Sequence, residues 1–221
     1  MAASATAAEP PETVHHPVFA RLFVRISRAA QARGQGEHRR ELLAGLSGRV
    51  IEVGAGNGLN FAYYPPSVTE VVAVEPEGYL RELAVQAARS APVAVRVIDG
   101  VAGQLPVERA AFDAGVASLM LCSVRDPARA LAELLRVIRP GGALRFYEHV
   151  RASSPGLARV QQTLDALVWP RLFGGCHTSR NTRAAIEAAG FHIETYRSFP
   201  FRPCLLAVPV APHVLGAARR P

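Results

Sequence analysis

The stretch RVIEVGAGNGLNFAYYPPSVTEVVAVEP, Arg49 to Pro76, decides the fold by its punctuation. A short apolar run, Val50 to Val53, meets a glycine turn, Gly54 to Gly58; a short helix and a second run, Val71 to Glu75, follow. Apolar runs of that length, bounded by turn signals, read as buried strands. Glycines at 54, 56 and 58 let the backbone turn sharply and approach a ligand with no Cβ in the way. The first strand delivers the chain to a helix N-terminus, whose unpaired N–H groups face whatever is bound. Glu75 ends the second strand, and an acidic residue about 20 residues past the first strand suits hydrogen bonds to a ribose diol. The unit is a mononucleotide-binding half of a doubly wound sheet.

Working downstream, the spacing predicts a helix over 77–90 burying Leu80, Leu83, Ala84 and Ala87, then a strand over 93–98 and another over 112–119. Asp126-Pro127 opens a helix with an acidic N-cap and proline at N1. Leu131, Leu134, Leu135 and Ile138 lie on one face of it, and Pro140-Gly141-Gly142 stops it. A strand over 143–148, a long helix over 156–173, a helix over 179–189 and a late strand pair, 191–199 and 204–210, complete the pattern. Upstream, Val18, Phe19, Leu22, Phe23 and Ile26 repeat at helical spacing with Arg21, Arg25 and Arg28 opposite. That helix reads as a lid over a cleft, a weak membrane-surface contact or ordinary packing on its own domain. A second helix runs over about 37–46.

Alternating strands and helices predict an α/β fold, a doubly wound and mainly parallel sheet with helices on both faces. The domain spans 15–210 with N-terminal lid helices over 15–47; 1–14 reads as a disordered tail and 211–221 as a C-terminal tail. Ligands of such sheets sit at the carboxyl ends of the strands. That edge gathers Gly54 to Gly58, Glu75, Gly100 to Ala102, Ser118 to Ser123, and Glu148 with His149.

Composition narrows the partners. All 25 basic residues are arginine; they are scattered, so the net charge of +7 forms no stripe and predicts no nucleic-acid partner. Three widely spaced cysteines with no C-x-x-C signal neither a disulfide framework nor a metal site. The N-terminus lacks the parts of a secretory signal, and no apolar run matches a membrane span, so the expected location is cytoplasmic. Oligomeric state is left open.

Leu59 stands where a dinucleotide fingerprint needs its third glycine, and no G-K-S/T follows for a P-loop. What stands from Glu52 to Gly58 is E-x-G-x-G-x-G. It resembles the first motif of class I S-adenosylmethionine-dependent methyltransferases. The resemblance implies S-adenosylmethionine as cofactor, with the glycine loop under its methionine part and the strand-2 acid on its ribose. Carried over, the cofactor-binding set is Glu52, Gly54, Ala55, Gly56, Asn57, Gly58, Asn60, Glu75, Pro76, Val101, Ala102, Ser118 and Leu119. The family's G-D-A-E-x-L-P run appears as Gly100 to Pro106 with Val101 in place of the Asp. Backbone contacts from Val101 and Ala102 to the adenine are therefore implied, with Asp99 one position early. RVIRPGG, Arg136 to Gly142, resembles the family's turn into strand five; its work is termination and reversal.

NFAYYPP (Asn60 to Pro66), SLMLCSV (Ser118 to Val124), YEHV (Tyr147 to Val150), QQTLD (Gln161 to Asp165) and LFGGCHTSRNT (Leu172 to Thr182) carry the resemblance further. Together they look like the branch that includes the microsomal alkyl-thiol methyltransferases. That implies a seven-stranded sheet with an antiparallel last strand, and a small-molecule acceptor, best read as a thiol. A phospholipid or quinone acceptor is the alternative; a nicotinamide-dependent oxidoreductase and a non-catalytic cofactor-binding module are more distant ones. Methyl transfer is an in-line displacement in which the protein supplies alignment and exclusion of water. His149, with Glu148 beside it, is the candidate to take the acceptor's proton or orient the acceptor, against a histidine that merely caps strand five. Cys122 falls near the transferring methyl, Cys176 and His177 near an acceptor pocket. Tyr63 and Tyr64 either pack beside the sulfonium or belong to the core.

Overall fold

The structure, a computed structural model, describes residues 16–221, apart from the side chains of Leu205 and Leu206; the tail read over 1–14 and His15 lie outside the described residues. Seven strands form one sheet in the order β3-β2-β1-β4-β5-β7-β6. They are β1 (Gly48–Val53), β2 (Val68–Val74), β3 (Val95–Ile98), β4 (Phe112–Ser118), β5 (Ile138–His149), β6 (His192–Pro200) and β7 (Pro212–Arg219). The first five pair in parallel, and β7 inserts antiparallel between β5 and β6. The chain order reverses between β1 and β4, which is the switch point where such sheets open a crevice.

Helices α1 (Pro17–Ala30), α2 (Gly36–Leu43), α3 (Gly78–Ala88), α4 (Pro127–Val137), α5 (Pro155–Leu167), α6 (Trp169–Leu172) and α7 (Thr182–Ala188) cover the sheet. Two buried layers result. Ile51, Val53, Leu144 and Phe146 pack with Leu131 and Leu134 of α4 and Ile186 of α7. Their strand neighbours Val50, Val71 and Tyr147 face the other way, onto Leu42 and Leu43 of α2 and Ala84 of α3. Two-sided burial explains the near-continuous apolar strands. Glu77 and Asp126 cap α3 and α4 by accepting the N–H groups of Leu80 and Arg129.

Four elements differ from the sequence reading. The segment after the glycine turn is a single 3-10 turn, Phe61–Tyr63, stopped by Pro65 and Pro66, so no helix N-terminus lies there. Ile138 is extended and begins β5 instead of closing α4. The long helix predicted over 156–173 breaks between Leu167 and Trp169, just before Pro170. At the C-terminus, 204–210 is no strand: Leu205–Val210, with Pro209 inside it, is a 3-10 turn. The last strand is Pro212–Arg219, which corrects the tail read over 211–221. Flanked by two strands and buried on both faces, HVLGAA needs no apolar alternation, the signal whose absence hid it.

His213 of β7 tests this placement. Its ring sits 5.3 Å from that of Tyr147 and 5.7 Å from that of Phe201, and its Nδ1–H donates to the Ala211 carbonyl at 2.9 Å. Burial pushes its pKa down from 6.5 to about 3. Between those values the unfolded chain binds a proton that the folded chain refuses, so stability falls as pH drops below 6.5, by ~1.4 kcal/mol per pH unit for one such group. Glu52, raised from 4.5 to about 7, works oppositely over its own range, so the comparison must be a difference. His213→Asn is expected to flatten the acid-side loss relative to wild type, as read by urea unfolding at pH 7 and pH 5. An unchanged difference between the two proteins at both pH values overturns the assignment.

Candidate active site

At the carboxyl edge of β1 the chain turns through three left-handed glycines, Gly54 (φ 73°), Gly56 (φ 57°) and Gly58 (φ 76°). Gly54 is also confined: a Cβ there would lie 2.6 Å from Met120 Cγ. The Gly54 and Ala55 N–H groups both donate to the Val74 carbonyl, at 2.9 and 3.2 Å, tying the loop to the end of β2. Glu75 completes the tie. Its carboxylate accepts from the Gly56 N–H at 2.7 Å and from the Glu77 N–H at 3.0 Å, and the residue is 5% exposed. Burial raises its pKa while the two N–H groups oppose the shift. Each oxygen accepts one bond and so keeps acceptor capacity for a diol. Pro76, next in chain, has its carbonyl held by Arg81, which also pairs with Asp99 at 3.1 Å.

Glu52 and Asn60 belong beneath the loop. Glu52 accepts from Asn60 Nδ2 at 2.8 Å and from the Tyr64 hydroxyl at 2.7 Å, while Arg39 donates to Asn60 Oδ1 at 2.6 Å. Desolvation pushes Glu52 up to about 7 despite those bonds. These groups are a buried brace for the turn. Tyr64 is spent on that brace, and Tyr63 bonds Gln31 and lies under Arg40, so neither ring opens onto a ligand. The packing alternative for the tyrosines is what the fold realises.

After β3, Val101 bridges Gln104, Gly103 accepts from Arg129 Nε at 2.9 Å, and the Leu105 N–H donates to Glu133 at 2.7 Å. The loop's frame is thus fixed without the family's Asp. At the end of β4, the Ser118 hydroxyl is buried with no hydrogen-bond partner among the described residues. Leu119 takes φ 55°, rare for a residue with a side chain, and its N–H donates to Tyr147 at 2.7 Å. Glu148 holds the turn that follows: it accepts from the N–H groups of Met120 (2.9 Å), Leu121 (2.8 Å) and Cys122 (3.2 Å) and is fully buried. Fixed in that way it positions backbone instead of moving protons. His149 points its Nε2 at Cys176 Sγ, 3.3 Å away. Cys176 beside it and burial hold the Cys122 thiol well above its ordinary pKa.

Helix α1 covers this edge. A Cβ on Gly56 would lie 3.2 Å from Phe23, and Asn57 Nδ2 donates to Ser27 at 3.2 Å. Ala20 and Val24 pack with Leu80 of α3. Helix α1 thus packs on its own domain at the loop edge, while Val18, Leu22 and Ile26 remain exposed on its outer side. No helix among the described residues is long and apolar enough to cross a membrane. A cavity of about 240 Å³ opens at the other edge, by Gly45, Asp113 and Arg145. It lies at the amino ends of the strands, away from every group above.

Residues 51–146 match the model of a methyltransferase domain family. Human thiol S-methyltransferase TMT1B is 32% identical over 181 residues, 80% of this chain and 73% of that protein. The chain belongs to the S-adenosylmethionine-dependent methyltransferases. Demethylmenaquinone methyltransferase of Renibacterium salmoninarum is 38% identical over 96 residues, only 43% of this chain and 39% of that one. Among solved structures, a methyltransferase from Thermotoga maritima described as a possible histamine N-methyltransferase superposes with TM-score 0.68 at 22% identity, covering 93% of this chain and 99% of that one.

For this methyltransferase the cofactor supplies the electrophilic methyl group. The loop fits it: Gly54, Gly56 and Gly58 hold left-handed backbone that a close-lying ligand needs, Glu75 retains acceptor capacity, and the Ser118 hydroxyl is buried with no partner among the described residues. Gly54 to Gly58 would hold the methionine part, Glu75 the ribose, and the backbone at Val101 and Ala102 the adenine. Sequence reasoning did not find Phe23, Ser27 or Arg39. Phe23 was read only as an apolar position of α1, and nothing in the spacing couples residues so far apart.

Proposed function

We propose that the methyl acceptor is a small thiol. The observation that carries this reading is the company His149 keeps. Its Nε2 faces the Cys176 thiol, and the neighbouring carboxylate, Glu148, is committed to three backbone N–H groups. Glu148 therefore acts on the imidazole only through space, and not as the hydrogen-bonded carboxylate partner of a strong general base. A hydroxyl would need that help, whereas a thiol, with an ordinary pKa near 8.5, needs little. The human relative that matches 80% of the chain bears the name thiol S-methyltransferase, and the quinone enzyme from Renibacterium salmoninarum matches 43% of it. His149 is the residue that receives or directs the acceptor sulfur.

Purified protein offered alkyl thiols, phosphatidylethanolamine, demethylated quinones and phenols with S-adenosylmethionine is expected to give S-methyl product. His149→Ala should slow turnover by ~100-fold, the scale of a lost group that directs the acceptor, with cofactor affinity intact. Product from quinone or lipid alone overturns the acceptor assignment. Full activity in the His149 variant removes that residue's role.

A further inference from the structure

Three side chains distant in sequence meet at the carboxyl edge of β4 and β5. Cys122, His149 and Cys176 are all buried, and two sulfurs and a ring nitrogen lie within 4.8 Å of one another. We propose that Cys122, His149 and Cys176 bind a thiophilic divalent cation, zinc in kind, with a fourth coordination position left open.

Zinc takes sulfur at about 2.3 Å and imidazole at about 2.0–2.1 Å, so tetrahedral ligand atoms stand about 3.5 Å apart. His149 Nε2 and Cys176 Sγ already stand at 3.3 Å. His149 makes no strong hydrogen bond as it is: Nε2 faces a thiol, and the buried Nδ1 has no partner among the described residues. A buried imidazole so poorly satisfied gains most from a metal bond.

Charge favours a divalent ion. Two thiolates and one such cation sum to zero, and Arg180, which bonds the Leu121 carbonyl and His177, acts through space on the nearby Glu148 carboxylate. The surroundings are also built. Trp169 Nε1, a group that can only donate, gives its proton to Cys176 Sγ at 3.2 Å. The backbone of Cys122 is held at both ends, its N–H by Glu148 and its carbonyl by the His177 N–H at 2.8 Å. Asp165 of α5 fixes the following loop by accepting from the Thr178 and Ser179 N–H groups at 2.7 and 2.9 Å.

The sequence spacing gave no metal signal because the ligands come from a turn, a strand end and a loop. The cluster holds three ligands, the number found in sites that keep a fourth position for water or substrate. On the thiol reading, which this part rests on, that position takes the acceptor sulfur as thiolate, its proton passing to solvent.

Protein purified under reductant and loaded with Co2+ tests the site without any acceptor. The expected result is about one cobalt per chain, with thiolate-to-metal charge-transfer absorption and the visible bands of four-coordinate geometry, displaced by Zn2+. Cys122→Ser and Cys176→Ser should each lower cobalt affinity by ~100-fold or more, since even outer-shell losses cost up to that much. Cys204→Ser, at an exposed cysteine, should not. Circular dichroism and adenosylhomocysteine binding report whether the variants fold. Metal content of the wild-type chain by native mass spectrometry decides the matter if they do not. No cobalt spectrum, a spectrum undiminished in both variants, or a Cys122–Cys176 disulfide persisting under reductant overturns the proposal. The two readings fail separately: cobalt binding does not depend on which acceptor is methylated, and the acceptor screen, run with and without added Zn2+, identifies the methylated product whether or not metal is bound.

Discussion

Glu75→Ala is expected to abolish measurable cofactor binding while leaving the chain folded. The carboxylate sits at the carboxyl edge of β2 against the glycine loop, and its two oxygens are already aimed by the Gly56 and Glu77 N–H groups. A hydrogen bond to a charged partner contributes about 1.5–3 kcal/mol, and a ribose diol offers two. At ~1.4 kcal/mol per tenfold, their loss lowers affinity by roughly 100- to 10,000-fold. Removing the side chain also frees the Gly56 N–H, so the loop loses one of its ties to the end of β2 together with its ligand contact, while the Gly54 and Ala55 bonds to Val74 remain. Glu75→Gln separates the two effects. Its amide oxygen can keep one N–H bond, which preserves loop geometry, but the negative charge is gone, so affinity should fall to an intermediate value. Calorimetric titration with adenosylhomocysteine reads both variants. Unchanged affinity in Glu75→Ala removes the nucleotide site from this edge.

How much of this was legible in the sequence depends on the range of the interaction. The glycine turn, Glu75 and the parallel strands are local signals, a spacing of Gly and an apolar run, and the fold places them as read. Val101 and Ala102 are likewise where the frame puts them. Glu52 and Asn60 were read as ligand contacts because motif positions do not record direction; both turn inward to Tyr64 and Arg39. Glu148 was grouped with His149 as a catalytic candidate because a carboxylate beside a histidine looks catalytic in one dimension. In three dimensions it faces the β4 turn, opposite to its neighbour, as alternation along a strand requires. The last strand was missed because burial on both faces erases period-two patterning. The Cys122, His149 and Cys176 cluster depends on a loop from beyond α6 folding back to the edge of β5, and no spacing rule reaches that far.

Glu148→Ala should be the most destabilising single change in the site. It would strand three buried N–H groups, those of Met120, Leu121 and Cys122, none of which has solvent to turn to. Each buried donor left unpaired costs about 1–3 kcal/mol, so three of them are a large part of the ~5–15 kcal/mol by which a domain is stable. The damage has a local path to function. Leu119 holds φ 55° only because the turn after it is fixed, and Met120 packs on Gly54 of the cofactor loop. Release of the turn therefore loosens both the cofactor side and the Cys122 side of the site. Glu148→Gln is the discriminating variant. Its oxygen can still accept from Met120 and Leu121, but its amide group presents a donor to the Cys122 N–H. It should retain most stability and lose the pH slope of a carboxylate whose pKa burial has raised. For such a group stability declines as pH rises through the interval up to the folded pKa, because the folded state holds the proton more tightly than the unfolded one. Denaturant unfolding of the three proteins across pH 5 to 8 tests both statements. A Glu148→Ala protein as stable as wild type means that the turn is held by something other than this carboxylate.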